Sequence, residues 1–386
     1  MFGRDTERFG MGLRDRLTKQ RTKPVGSSEG ANPAASSVTT APEGERQADL
    51  DVDAVMLEAE ALAATGAHAQ AVDLLASAVR DDSSGNHRLL IALLDARSAA
   101  ASAVEGQPRE PWPPAYEDPF PDVVGHPPEI DAADLTAEIM GGAVIHHGSL
   151  IVRGLFDQKA TTRCKWAIDM VQEHRSASEP KPGGRKWFRP WPGGTTLDGV
   201  LRNNVWEQGG TWLADSPAAC SIVLEEMKRS GALGVVTDHF GERPLISLQK
   251  STLRRSAPEY RITAWHQDGS FMGDQARSMN VWVALTACGG DRPTPSLQVA
   301  GARIDDILPR DGGLVKSSIS DETVIAASGG LPPVVPLFEP GDSLIFDDRN
   351  AHRSYMTEGM TDFRYAIECW FFAPAYFADS YLALLA

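Results

Sequence analysis

The chain has 386 residues, 42% of them apolar and 23% charged, the composition of a folded protein with a sizeable core. Its net charge of −15 excludes a general nucleic-acid binder and a polybasic membrane-surface protein, since both need a net basic face. At about 150 residues per domain, two to three domains are expected.

No run of about 18 apolar residues is present, so no membrane-spanning helix is expected. The four cysteines, Cys164, Cys220, Cys288 and Cys369, are scattered without a CxxC pair. Neither a disulfide framework nor a zinc knuckle is indicated, and the reducing cytoplasm is the expected location.

The segment Met1–Lys23 is charged and mixed in sign with no apolar run behind it, which reads as a solvated tail and not a secretory signal. From Pro24 to Gly44 the chain has almost nothing to bury, so residues 1–50 are expected to be disordered. Residues 51–105 read as helices. Val55, Ala59 and Leu62, then Ala71, Leu75 and Ala78, recur at helical spacing, and Gly66 breaks the pattern between the two runs. A helical hairpin follows from this, and another apolar helix, Leu89–Ala100, comes after it. The stretch "AATGAHAQAVDLLASAVRDD" resembles the middle of a tetratricopeptide repeat, with a Gly turn followed by small residues that let two helices approach closely. That resemblance implies a protein partner through 51–105. A plain hairpin is the other reading, because one and a half repeats fall short of the roughly three that stable arrays need.

A Pro-rich linker over 106–127 separates this segment from residues 128–386. There, Leu135–Met140 predicts a helix and "AVIHHGSLIVRGLF" a β-rich run. On a strand, the adjacent His146 and His147 would point opposite ways, so both read as structural. A helix carrying Ala167, Met170 and Val171 comes next, then the loop "KPGGRKWFRPWPGG", then a mostly helical region to Phe240. The loop's Arg185, Arg189, Trp187 and Trp191 read either as a substrate lid or as a packed Ω-loop. From Pro244 onward, short strands alternate with turns: "LISLQKST", "SMNVWVAL", "VVPLF", "DSLIFD", "HRSYM" and "FRYAIECWFF". The fold class predicted is α+β, mainly β: a jelly roll with flanking helices, after a small N-terminal helical segment.

The strongest local feature is "WHQDGSF". If the segment is extended, His266 and Asp268 leave one face and Gln267 the other. An imidazole and a carboxylate on one face are two thirds of a facial triad for non-haem Fe(II). A lone HxD also recurs by chance as a surface His beside a strand-end acid. The segment "GDSLIFDDRNAHRSYM" offers the third ligand, His352, from a distant strand of the same roll. Either Asp347 or Asp348 could orient that imidazole through a hydrogen bond. On "FRYAIECWFF", Arg364, Ala366, Glu368 and Trp370 share a face. A guanidinium at the back of a barrel suits a carboxylate that takes two parallel hydrogen bonds, and Ser354 should point into the same cavity. A salt bridge between Arg364 and Glu368 is the alternative.

"HQD", "NVWVAL", "PGDSLIFDDRNAHRS" and "RYAIECWFF" together resemble the phytanoyl-CoA dioxygenase family, over roughly residues 128–375. The resemblance implies a double-stranded β-helix, cupin-like, that binds Fe(II) and uses 2-oxoglutarate and O2 to hydroxylate a small or medium organic substrate. It implies His266, Asp268 and His352 as iron ligands, and Ser354 and Arg364 as the site for the distal 2-oxoglutarate carboxylate. Trp282 would sit beside the cosubstrate, with Asn280 on the same strand face. Gln249 and Lys250, on the strand before the HxD loop, fall near further cosubstrate or substrate contacts. A carboxylate at Asp268, where halogenating relatives carry a small residue, implies hydroxylation.

Two other readings stay open at this point. One is a cupin-like metal enzyme without 2-oxoglutarate, in which Arg364 and Ser354 have no role. The other is a non-catalytic binding protein that uses the N-terminal helices.

Overall fold

A computed structural model describes residues 50–386 apart from 83, 108, 178–182, 193–195, 259–263, 274, 313–317 and 378–380. The expected disordered tail over 1–50 lies outside the described residues but for Leu50.

Three helices occupy the first segment: α1 (Val52–Ala64), α2 (His68–Asp81) and α3 (His87–Ala103), the last spanning the expected Leu89–Ala100 helix. Asp51 caps α1 by accepting from the Ala54 N–H, and Asn86 caps α3 by accepting from Arg88. Gly66 makes the α1–α2 turn at φ +83°, a conformation that glycine adopts without cost. Ala71, Val72, Leu75 and Ala78 form the buried face of α2, as the spacing predicts. Leu89 and Leu93 of α3 share a core with Leu245 and Leu385 from the far end of the chain. The buried Arg97 guanidinium donates to the Leu385 carbonyl at 2.6 Å. Residues Asp49–Ala386 thus form one compact unit.

The elements that follow are β1 (Glu129–Asp131), α4 (Ala137–His147), β2 (Ser149–Arg153), α5 (Gln158–Arg175), α6 (Thr196–Glu207), β3 (Gly210–Trp212), α7 (Pro217–Arg229) and α8 (Ala232–Phe240). Then come β4 (Leu245–Ser247), β5 (Thr252–Ser256), α9 (Gly269–Met272), β6 (Ser278–Ala284), β7 (Ser296–Val299) and α10 (Asp321–Ala327). The chain closes with β8 (Ser343–Phe346), β9 (His352–Tyr355), β10 (Arg364–Phe372) and β11 (Ala383–Leu385).

Two expectations are corrected here. The run "AVIHHGSLIVRGLF" is helix first and strand second. Thr136 caps α4, which continues through His147 and stops at Gly148 in the left-handed region, so the strand begins only at Ser149. The fold is α+β, but more of its residues lie in helices than in strands, so it is not mainly β. The strands are short, and α4 and α5 pack against β2, β8, β5 and β10 of the larger sheet.

That larger sheet runs β1-β2-β8-β6-β10-β4-β11, with β5 also against β10 and β3 beyond β5. The smaller one is β7–β9, extended by bridges from Val299 to Val334 and from His352 to His266. Ordering the strands from β5 onward gives β5-β10-β6-β8 in one sheet and the 265–266 segment, β9, β7 and the 334 segment in the other. In chain order these segments switch sheets at every step except from β7 to the 334 segment, which is jelly-roll connectivity.

Alternation along the strands separates two cores. Met279, Val281 and Val283 of β6, Ile345 of β8, and Ile367, Cys369 and Phe371 of β10 pack outward on α5, α7 and α8. Trp282, Ala284, Leu344, Phe346, Ala366, Trp370 and Phe372 face inward, against Leu297 and Val299 of the smaller sheet. Among the described residues, no helix is long and apolar enough to cross a membrane.

Candidate metal centre

The centre begins in a backbone contact. His266 and His352 are cross-strand partners and exchange both backbone hydrogen bonds, at 3.1 and 3.0 Å. A pair of this kind puts the two side chains on one face at close range, and the ring centroids lie 4.4 Å apart. Each imidazole sets its Nδ1 against the carbonyl two residues earlier, Ala264 at 2.9 Å and Asn350 at 3.1 Å. An Nδ1–H held there leaves the Nε2 lone pair for a cation. The orienting groups are thus backbone carbonyls and not Asp347 or Asp348. Asp347 pairs instead with Arg303 at 2.7 Å, and Asp348 lies 3.5 Å from the Ser278 hydroxyl.

Asp268 reaches the same place by a turn and not by an extended strand. It has φ −66° and ψ −29° and starts the single turn of α9. Gln267 shapes this turn. It is fully buried, donates to the carbonyls of Asp306 and Arg349, and accepts from Leu308. Gly269 follows in close quarters: a Cβ there would lie 2.5 Å from Asp348 Oδ2 and 2.7 Å from Ile307 Cδ1, so these two side-chain ends would have to shift. The spacing "HxD" marked the two candidate ligands but not the role of the residue between them.

One ligand atom from each of His266, Asp268 and His352 lies within 4.8 Å of the others, a set suited to one metal ion. Asp268 and His352 are buried, and His266 is partly so. Burial, then the neighbouring His352, pushes His266 down to about 4, which keeps it in the neutral, ligating form. Burial alone would raise Asp268, but the Lys250 ammonium beside it outweighs this and holds the carboxyl far below its usual range. Lys250 touches it directly, with Nζ 2.6 Å from Oδ1.

Behind the centre, Arg364 crosses from the larger to the smaller sheet. Its Nη1 donates to the Ser296 carbonyl at 2.9 Å, one residue from Leu297, which pairs with Ser354. Arg364 is 3% exposed, and its Nε has no hydrogen-bond partner. Among the described residues no carboxylate forms an ion pair with it. The expected alternative partner, Glu368, is committed elsewhere: to Arg254 at 2.9 Å and to the Thr252 hydroxyl at 2.6 Å. Burial, then the Arg254 charge, lowers the Arg364 pKa. A buried cation without a counter-charge is costly, and an anionic ligand removes that cost.

Asn280 and Trp282 share the inward face of β6, and both are buried. Asn280 Oδ1 and Trp282 Nε1, like Arg364 Nε, find no partner. Three orphaned polar atoms on one interior wall are groups that a polar ligand would satisfy. Ser354 lies two residues beyond His352 on β9 and is half-buried. Gln249 is different. It lies in the turn between β4 and β5, not on a strand, and its Oε1 accepts from the Leu382 N–H at 2.9 Å, tying down the C-terminal segment.

Other candidates fall outside the centre. His146 contacts the Tyr116 carbonyl and His147 contacts Asp118, both fastening the Pro-rich segment to α4. The described part of the Trp-rich loop packs inward. Trp187 is buried edge-on against Trp166, Lys186 donates to the Gly85 carbonyl, and Arg189 pairs with Asp95 of α3. Those contacts are of the packed-loop kind, and none runs to the His–Asp–His set.

No protein-family model and no curated protein matches the chain. Solved structures similar to it include the non-haem α-ketoglutarate-dependent carbocyclase SnoK from nogalamycin biosynthesis, at 15% identity and TM-score 0.41, covering 63% of this chain and 86% of that one. EctD from S. alaskensis, crystallised with 2-oxoglutarate and 5-hydroxyectoine, matches at 17% identity and TM-score 0.45, covering 70% and 83%. The epimerase SnoN, in complex with Fe3+ and α-ketoglutarate, matches at 14% identity and TM-score 0.39, covering 61% and 83%.

Proposed function

We propose that this chain is an Fe(II)- and 2-oxoglutarate-dependent dioxygenase of the phytanoyl-CoA dioxygenase type. It hydroxylates an unactivated C–H bond of a small or medium organic molecule, with O2 and 2-oxoglutarate consumed and succinate and CO2 released. The observation that carries this reading is the pairing of two features on one interior: a His–Asp–His set within 4.8 Å, and a buried Arg364 with no carboxylate of its own. A metal enzyme that did not bind a dianion would have no use for the second feature.

The residues divide the work. His266, Asp268 and His352 would hold the metal on one side and leave the opposite positions open. Iron bound there supplies the oxidising chemistry. Arg364 binds and orients the far carboxylate of 2-oxoglutarate, with the Ser354 hydroxyl as a second donor. Asn280 and Trp282 line the space between and offer an acceptor and a donor that are otherwise unused. The apolar wall of Phe346, Trp370 and Phe372 keeps water from the interior.

The test is anaerobic addition of Fe(II) and 2-oxoglutarate to metal-free protein, followed by visible absorption. A weak charge-transfer band that vanishes in Arg364→Ala and His352→Ala is expected. Folded protein that gives no band leaves a metal enzyme without 2-oxoglutarate, or a binding protein, as the better description.

A further inference from the structure

Lys250 stands against the metal centre without belonging to the ligand set. Its ammonium lies 2.6 Å from Asp268 Oδ1, while Asp268 Oδ2 lies 3.7 Å from His352 Nε2. The two carboxylate oxygens thus face different neighbours. Lys250 is held in place from two sides. Its backbone N–H donates to the Ser247 hydroxyl at 3.3 Å, and its Nζ sits 4.5 Å from the centre of the Phe271 ring. Phe271 belongs to α9, the turn that Asp268 starts, and its N–H bonds the Asp268 carbonyl at 3.0 Å. Lysine and carboxylate are therefore fastened to the same small unit.

From this geometry we infer that Lys250 is a positioning residue that divides the Asp268 carboxylate: it holds Oδ1, so that a metal ion binds through Oδ2 alone. The inference rests on reading His266, Asp268 and His352 as ligands. A carboxylate free to turn can give both oxygens to a cation and fill a position that a chelating cosubstrate needs. An ammonium on one oxygen prevents this. The same ammonium repels the metal, so Lys250 weakens metal binding while keeping the position open.

These two effects give a signature that a merely structural lysine would not. Co(II) is titrated into the full-length chain, and 2-oxoglutarate is then titrated into the Co(II)-loaded protein, for wild type, Lys250→Met and Lys250→Arg. Lys250→Met is expected to bind Co(II) about tenfold more tightly, because a cation is lost and a second oxygen gained. Its Co(II) form is expected to bind 2-oxoglutarate about tenfold more weakly, because the freed oxygen competes for the position and an attractive charge is gone. Lys250→Arg, which keeps the charge and the donors, should stay within about threefold of wild type on both counts. Lys250→Gln serves in place of the methionine variant if that variant does not fold, with the same two expected shifts. Folded Lys250→Met with unchanged or weakened Co(II) binding overturns the inference. A wild-type protein that binds Co(II) but not 2-oxoglutarate overturns the proposed function instead, and the Co(II) comparison alone then decides the role of Lys250.

Discussion

His266 and His352 are bonded to each other through both backbone N–H groups, so two proposed ligands far apart in sequence are one rung of a sheet. The rung does not depend on the imidazoles. His352→Ala should therefore keep the fold and lose the metal. Co(II) at a hundredfold excess over its Kd should stabilise the wild-type protein by about 2.7 kcal/mol. Thermal unfolding followed by circular dichroism, with and without Co(II), checks this. The metal-dependent rise in Tm should be present in wild type, reversed by a chelator and absent in His352→Ala. A variant that retained the rise would place the metal elsewhere.

Arg364 carries a second, less usual expectation. It is buried and bonded to a single carbonyl, with no described carboxylate in ion-pair contact and only the longer-range attraction of Glu368, which is itself paired to Arg254. Replacing such a group by an apolar side chain of similar length removes a desolvation cost. Arg364→Met should gain about 1 kcal/mol or more in stability in the absence of ligands. It should lose about 100-fold in 2-oxoglutarate affinity, since a charge-assisted bidentate contact disappears. Urea unfolding gives the first quantity and anaerobic titration the second. Loss of stability together with unchanged affinity would make Arg364 a strut of the β7–β10 junction.

Much of the centre was legible because its signals are local. His266 and Asp268 lie two residues apart, and alternation on β10 puts Arg364 on the inward face beside Ala366 and Trp370. Most of what was not legible depends on tertiary contact. "LISLQK" has no Gly or Pro to mark a turn, yet the chain turns at Leu248–Lys250 because Gln249 is taken by Leu382. The apolar run before Gly148 fits either period, and only the Thr136 cap and the left-handed Gly148 make it a helix. The partner of Glu368 could not be chosen from sequence either. Arg364 and Arg254 were both within reach of an inward-facing carboxylate, and the register of β5 against β10 decides for Arg254.

His239 predicts how stability depends on pH. It lies in the last turn of α8, is 3% exposed, and stacks on Tyr116 with Trp112 edge-on. Its Nδ1 lies 3.4 Å from the Tyr116 hydroxyl, and Arg109 donates to its carbonyl. Burial, then the Arg109 charge, lowers it to about 4 from an ordinary value of 6.5. The unfolded chain therefore binds a proton at this residue more readily than the folded one. Its contribution is fully present above about pH 6.5 and is lost as pH falls toward 4, in all roughly 3 kcal/mol. His239→Gln should flatten the stability profile across that window. An unchanged slope in urea unfolding between pH 4 and 6.5 would refute the assignment.

Gly341 and Gly154 both have positive φ, +101° and +64°, yet they should respond very differently to alanine. A Cβ at Gly154 meets nothing within 4 Å. At Gly341 it would lie 2.1 Å from the Phe156 carbonyl oxygen. That oxygen cannot withdraw easily, because the Phe156 N–H donates to the Gly341 carbonyl at 3.0 Å and the Gly341 N–H donates to Ala284 at 2.7 Å. The turn leads directly into Asp342, whose carboxylate accepts from Arg153, Gly154 and Glu339 before β8 begins. Gly154→Ala should cost about 1 kcal/mol, the conformational penalty alone. Gly341→Ala should cost more than about 3 kcal/mol, because backbone must move. Both glycines lie near the Ser343 end of β8, whereas the Phe346 ring at its other end stands 4.8 Å from the His352 imidazole, so the Co(II) affinity of the folded fraction should stay near wild type in both variants. Equal losses of stability in the two variants would mean that the β6–β8 junction yields, and that the contact at Phe156 does not constrain it.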